Sequence, residues 1–254
     1  MRLRRCLPGL FFSALLLLLL NGCGRKGPLQ PLHEERPQPI QNARLLQRGD
    51  SFQLQWQLPK QNQAGARAEI DAVEVERLIA SADAYCAECS DPWPRVARIT
   101  PRSPAPARQV RQLFLLSDAG GASGLNVYYR LRVQNLQGYF GPALTLQQSA
   151  RAPLPAPTNL SVASRDRSVE LNWQAAEIPP GATLLGYQVY RRLADQPYSP
   201  LPTNLKPLQT TRFSDLGLEN GLVYSYRVRS LFDFSGEQVE SLPGTEVSAT
   251  PNPG

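Results

Sequence analysis

The residues of this chain best placed to do chemistry are Cys86 and Cys89, three positions apart in Cys86-Ala87-Glu88-Cys89. Two thiols at that spacing suit three chemistries. A redox pair needs its first thiol at a helix N-terminus, where the thiolate is stabilised. The surrounding Ala84-Tyr85 and Ser90-Asp91-Pro92 read instead as a loop. A zinc site needs four ligands, and the only histidine of the chain, His33, lies far upstream. No histidine follows Cys89, which excludes c-type haem attachment. A local disulfide is the third reading, and it requires an oxidising compartment. A second candidate group is Arg95, Arg98, Arg102, Arg108 and Arg111, with no acid between Pro92 and Ser117. Guanidinium forks suit phosphate and carboxylate, whereas a charge run otherwise marks a solvated surface. There is no nucleophile with a base and an orienter, and no glycine-rich loop between a strand and a helix. The sequence therefore predicts neither an enzyme nor a bound cofactor or metal.

The compartment is set by Cys23. Arg2, Arg4 and Arg5 precede an apolar run, Leu10 to Leu20, which ends in Asn21-Gly22-Cys23. Basic, apolar and small-residue regions in that order form a secretory signal, and the run is shorter than the roughly 20 apolar residues that a membrane span needs. Leu20-Asn21-Gly22-Cys23 resembles the bacterial lipobox. The resemblance implies cleavage after residue 22, lipidation of Cys23 and, with Gly24 following, an outer-membrane address facing the periplasm. Cys23-Gly24-Arg25-Lys26-Gly27-Pro28-Leu29 resembles the start of a short lipoprotein family that includes the small lipoprotein of the lipopolysaccharide translocon. It implies acylation and, as one alternative role, an accessory factor of outer-membrane assembly. Export also provides the oxidising setting for Cys86 and Cys89. The net charge of +6 falls to +3 once residues 1–22 leave, because three arginines leave with them. Such a surplus does not argue for nucleic acid as a partner.

The elements that must position these residues are strands. Phe52-Gln53-Leu54-Gln55-Trp56 alternates apolar with polar residues, as do Val73 to Glu76 and Val127 to Val133. Period-2 alternation of this length predicts half-buried antiparallel strands. The pattern returns after the linker 151–156. Val169 to Trp173 aligns with Phe52 to Trp56, Tyr187 to Leu193 with Ala72 to Leu78, and Tyr224 to Arg229 with Val127 to Arg132. Two copies of a unit of about 100 residues are therefore expected. The 24 prolines and the lack of any long apolar 3.6-residue period outside the signal agree with an all-β chain.

The second copy, residues 157–251, resembles the fibronectin type III family through Pro157-Thr158-Asn159-Leu160, Trp173, Tyr187 to Tyr190, and Leu218 standing six residues before Tyr224. The resemblance implies two packed antiparallel sheets, with Trp173 in the core and Leu218 and Tyr224 forming a tyrosine corner. The first copy, 39–150, departs from the pattern. Val127 stands at the corner position, and residues 80–112 form an insert. Tandem antiparallel sandwiches are expected, with Trp56, Trp173, Leu218, Tyr224 and Tyr226 as core, behind a signal peptide (1–22) and a proline-rich tether (23–38).

The function this predicts is a membrane-anchored binding or scaffolding module whose partner is a protein or an envelope polymer. A carbohydrate-binding module is the remaining alternative and requires an exposed aromatic platform, for which Trp93, Tyr139 and Phe140 are the candidates. Arg130, Arg132, Arg227 and Arg229 alternate with core residues, which puts them on the outer sheet faces, where they can pair with acids.

Overall fold

The computed structural model describes residues 35–86 and 93–253. The signal peptide, Cys23, most of the tether and Cys89 lie outside the described residues. Among the described residues every regular element is a strand, as the alternation predicts. In the first unit, β1 (Gln41–Arg48), β2 (Ser51–Gln57), β6 (Leu113–Ala119) and β5 (Arg108–Val110) form one sheet, and β4 (Arg95–Ile99), β3 (Ile70–Ala80), β7 (Asn126–Asn135) and β8 (Leu144–Ser149) form the other. In the second unit, β9 (Thr158–Arg165), β10 (Ser168–Gln174) and β12 (Arg212–Leu216) face β11 (Thr183–Leu193), β13 (Tyr224–Phe234), β14 (Glu237–Glu240) and β15 (Val247–Ala249). The insert 80–112 is not one long loop. It contributes β4 and β5, which extend the two sheets of the first unit beyond β3 and β6.

Each unit has its own core. Trp56 is fully buried among Phe52, Leu54, Val75 and Leu131 and stacks on Phe114, with ring centroids 5.8 Å apart. Trp173 meets the edge of Tyr187 at 5.4 Å, beside Leu171, Val189 and Val228. Burying each indole removes a large apolar area from water, which is the dominant favourable term in a sandwich of this size. Leu218 and Tyr224 are buried together, and the Tyr224 hydroxyl accepts the backbone N–H of Glu219 at 3.1 Å. The corner thus satisfies a loop donor that would otherwise lack a partner.

The register corrects the alignment of the two copies in one place. Arg77 lies opposite Tyr129 just as Arg191 lies opposite Tyr226. Val73 is therefore the counterpart of Tyr187, one residue along from the expected Ala72. Period-2 alternation fixes which residues face inward only when the start of the strand is known; the β-bulge between Ile70 and Ala72 has its counterpart between Leu184 and Gly186, at the same offset as Arg77 and Arg191.

Candidate interaction surfaces and the interdomain joint

The five arginines of the candidate anion patch do not gather on one face. Arg95 pairs with Glu74 at 3.0 Å, and Arg98 pairs with Asp71. Arg108 reaches into the second unit and donates to the Tyr198 carbonyl at 2.9 Å. Arg102 and Arg111 are exposed and lie in turns at the end of the first unit opposite the Arg48 end of β1.

The outer face of the β3–β7 sheet neutralises itself. Arg130 binds Glu76 at 2.6 Å, while Arg132 bridges Glu76 at 2.8 Å and Glu74 at 3.2 Å. The Arg130 guanidinium also lies 4.6 Å from the centre of the Trp93 ring, and that of Arg132 lies 4.6 Å from that of Phe140. One face of each ring, where a sugar would stack, is thus occupied by a cation. Tyr85 stacks on Tyr128 with centroids 3.9 Å apart, and Trp93 meets Tyr128 edge-on. Tyr85 and Trp93 therefore meet on one buried phenol. Tyr139 is tied back separately, its backbone N–H donating to Asn135 Oδ1 at 2.8 Å.

The alternation does not reveal a buried set that occurs in both copies. Tyr129 donates to Asp118 at 2.7 Å, and Asp118 binds Arg77 at 2.6 Å. In the second unit Tyr226 donates to Asp215 at 2.9 Å, and Asp215 binds Arg191 at 2.8 Å. Burial and the adjacent carboxylate push both phenols well above the ordinary tyrosine value. Each set joins three strands and satisfies polar groups at the core margin. The repeated spacing of Tyr129 to Tyr226 and of Asp118 to Asp215 is the sequence signal that carries it.

The densest polar chemistry lies where the two units meet. Strand β14 of the second unit pairs in parallel with β1 of the first, Gln47 opposite Val239 and Arg48 opposite Glu240. One sheet of eight strands therefore runs through both units. Glu240 is wholly buried, and its Oε2 lies 2.7 Å from Arg48 Nε. The Tyr190 hydroxyl donates to Glu240 Oε1 at 2.6 Å and accepts from Arg48 Nη2 at 2.8 Å. Burial and the Glu240 charge push this phenol well above its ordinary value, while burial pulls the neighbouring Arg229 guanidinium down. Arg48 also donates to the Pro200 carbonyl at 3.1 Å.

The linker closes the joint from the other side. The Gln47 side chain donates to the Arg151 carbonyl at 2.7 Å and accepts from the Arg151 N–H at 3.0 Å. Arg151 pairs with Glu237 at 3.0 Å and lies over the Phe234 ring. Leu154 packs with Phe232, Phe234 and Val239 in a small core of its own. A cleft of about 480 Å³ opens beside the joint, lined by Arg44, Gln55, Gln188, Leu205 and Gln238. Among the described residues no group of three or more histidines, cysteines or carboxylates could hold a metal.

Strand layout, cores and joint together define a pair of fibronectin type III-like sandwiches fused through one sheet. No family model matches the chain. Among solved structures, the FN1-FN3 domains of chicken CNTN1 are similar over 85% of this chain and 68% of that one, with 13% identity and a TM-score of 0.33. A Fn3-like protein from Clostridium thermocellum is similar over 41% of this chain and 96% of its own, with 26% identity and a TM-score of 0.30. A myokine structure is similar over 40% of this chain and 100% of its own, with 19% identity and a TM-score of 0.31.

Proposed function

We propose that this chain is a non-catalytic scaffold of the bacterial envelope, anchored by lipid on Cys23 in the outer membrane and facing the periplasm. It presents its two sandwiches as one rigid body to a protein or envelope-polymer partner. The observation that carries this reading is the joint. Domains on free linkers move relative to one another. Here the linker, a strand pair and a buried ion pair oppose that motion. A buried ion pair contributes little net stability, because desolvation offsets the Coulomb gain, yet it penalises every arrangement that leaves either charge unpaired. Arg48 and Glu240 therefore act as a registration device, suited to holding two surfaces at a fixed spacing. In the oxidising compartment of this reading Cys86 and Cys89 form a disulfide, next to Tyr85, which stacks on Tyr128.

The test is to express the chain and its Cys23→Ser variant in a bacterium fed labelled palmitate, to separate the membranes, and to crosslink in intact cells. The reading expects label and outer-membrane recovery for the wild type only, together with a crosslinked partner that is lost in the variant. A wild-type chain that takes up no palmitate contradicts the anchor.

A further inference from the structure

The end of the first sandwich that faces away from the joint is an unpartnered basic surface. Strand register defines it. Gln41 lies opposite Gln57 and Gln57 opposite Leu113, while Ile70 lies opposite Asn135. These strand ends, with the loops between them, lie remote from Arg48 and Ser149, which face the second unit. The described chain begins at the same pole. The Arg36 carbonyl accepts the Gln63 N–H at 2.9 Å, the Gln38 N–H donates to the Gln61 carbonyl at 3.1 Å, and Asn135 donates to the Glu35 carbonyl at 3.2 Å. Gly141 has no room for a side chain, since a Cβ there would stand 2.4 Å from the Pro37 carbonyl oxygen. Residues 35–38 are thus strapped to this pole.

Lys60, Arg67, Arg102 and Arg111 all emerge here. All four are exposed, and among the described residues none has a carboxylate partner. The loops and strap of the pole hold two acids, Glu35 and Glu69, and the nearby Asp71 is taken up by Arg98. Arg67 and Arg102 flank a depression of about 680 Å³ that also includes Leu136, a side chain 62% exposed, together with Glu69 and the Arg98-bound Asp71. A second depression, of about 620 Å³, joins Arg67 to Lys60. Separated cations around an exposed leucine fit a surface of anionic headgroups over hydrocarbon, where each Lys or Arg is attracted electrostatically and an apolar tip can insert.

From this placement we infer that the pole is a second membrane contact, which binds anionic lipid headgroups and seats the sandwich pair upright on the bilayer. The inference rests on the lipid-anchor reading, because chain length supplies the occupant. Only twelve residue steps separate Cys23 from Glu35. Fully extended they reach about 40 Å, so an acylated Cys23 keeps this pole within that distance of the headgroups. Tethering then makes the contact intramolecular, and a weak intrinsic affinity suffices.

Both cores and every strand lie within residues 40–249, so a chain beginning at Gly24 keeps the whole described fold without the anchor. Its cosedimentation with phosphatidylcholine vesicles, with and without phosphatidylglycerol, tests the inference. The expected result is binding that requires phosphatidylglycerol and weakens with salt. Changing Lys60, Arg67, Arg102 and Arg111 to Gln lowers it by about 100-fold or more. Changing Arg44, Arg167, Lys206 and Arg212 to Gln removes the same charge elsewhere and leaves binding within about twofold. Equal loss in both variants, or no preference for the anionic vesicles, overturns the pole contact. Palmitate labelling reports on the anchor separately, so a labelled chain whose pole ignores the vesicles refutes this inference alone.

Discussion

Glu240 is the residue on which the arrangement of the two sandwiches depends most. Glu240→Gln preserves its volume but leaves Arg48 charged beside a neutral amide, with the Arg48 side chain only 13% exposed. Removing one partner of a buried pair costs far more than the pair contributes, and here about 3 kcal/mol is expected as a lower denaturation midpoint in urea. A loss under about 1 kcal/mol would show that water reaches the joint. Tyr198 gives the second test. Its phenol donates to Glu246 at 2.8 Å, and burial, then that carboxylate, push its pKa from 10.0 up to about 12. A raised pKa means that the folded state holds the proton more tightly. The contribution is complete below the unfolded value near pH 10 and is lost as the pH rises toward 12. Tyr198→Phe should therefore flatten the fall of stability between pH 10 and 12, read from urea unfolding at each pH; an unchanged slope contradicts the assignment. Glu246 has the opposite sign. Its hydrogen bond from Arg192 holds its pKa below the ordinary value, so its share is lost as the pH falls.

At the scale of elements, the sequence was most readable where one residue type has one structural use. The alternation at Phe52 to Trp56 and Val169 to Trp173 sets which side chains enter the cores, and the six-residue spacing of Leu218 and Tyr224 marks the corner. The Tyr–Asp–Arg sets were harder to read because Asp118 and Asp215 sit on different strands from their tyrosines, and period-2 patterns carry no information about pairing across strands. The joint was not legible at all. Gln47, Arg48, Gln53 and Glu240 are polar residues that a single-strand pattern assigns to solvent, and they lose that exposure where the second unit docks against β1 and β2. Proline spacing gave no sign that Leu154, within the expected linker, is part of a core.

Strand edges show the same dependence on context. The outer edge of β11 is covered by the segment 203–208, through the Thr203 N–H on the Val189 carbonyl at 2.7 Å and mutual bonds of 2.9 Å between Tyr187 and Leu208. Covering an edge in this way blocks pairing with a foreign strand. Gly186 makes room for it. Its φ is +129°, and a Cβ would stand 2.5 Å from the Leu208 carbonyl oxygen. Gly186→Ala should therefore lift the segment, at a cost of about 1–3 kcal/mol, and speed amide exchange at Thr203 and Leu208. Unaltered protection at both amides would mean that the cover tolerates the methyl group.

For the whole molecule, the central claim is that two sandwiches with separate cores behave as one body because a sheet, a linker and an ion pair cross between them. A rigid pair holds surfaces at fixed spacing and transmits the orientation of one end to the other, whereas two beads on a string do neither. The direct measurement is the distance distribution between spin labels at Ser117→Cys in the first unit and Ala163→Cys in the second, both exposed positions. The account predicts one narrow distance in the wild-type background that broadens markedly when Glu240→Ala is added. A broad distribution in the wild-type background, or a narrow one that Glu240→Ala leaves untouched, would contradict it.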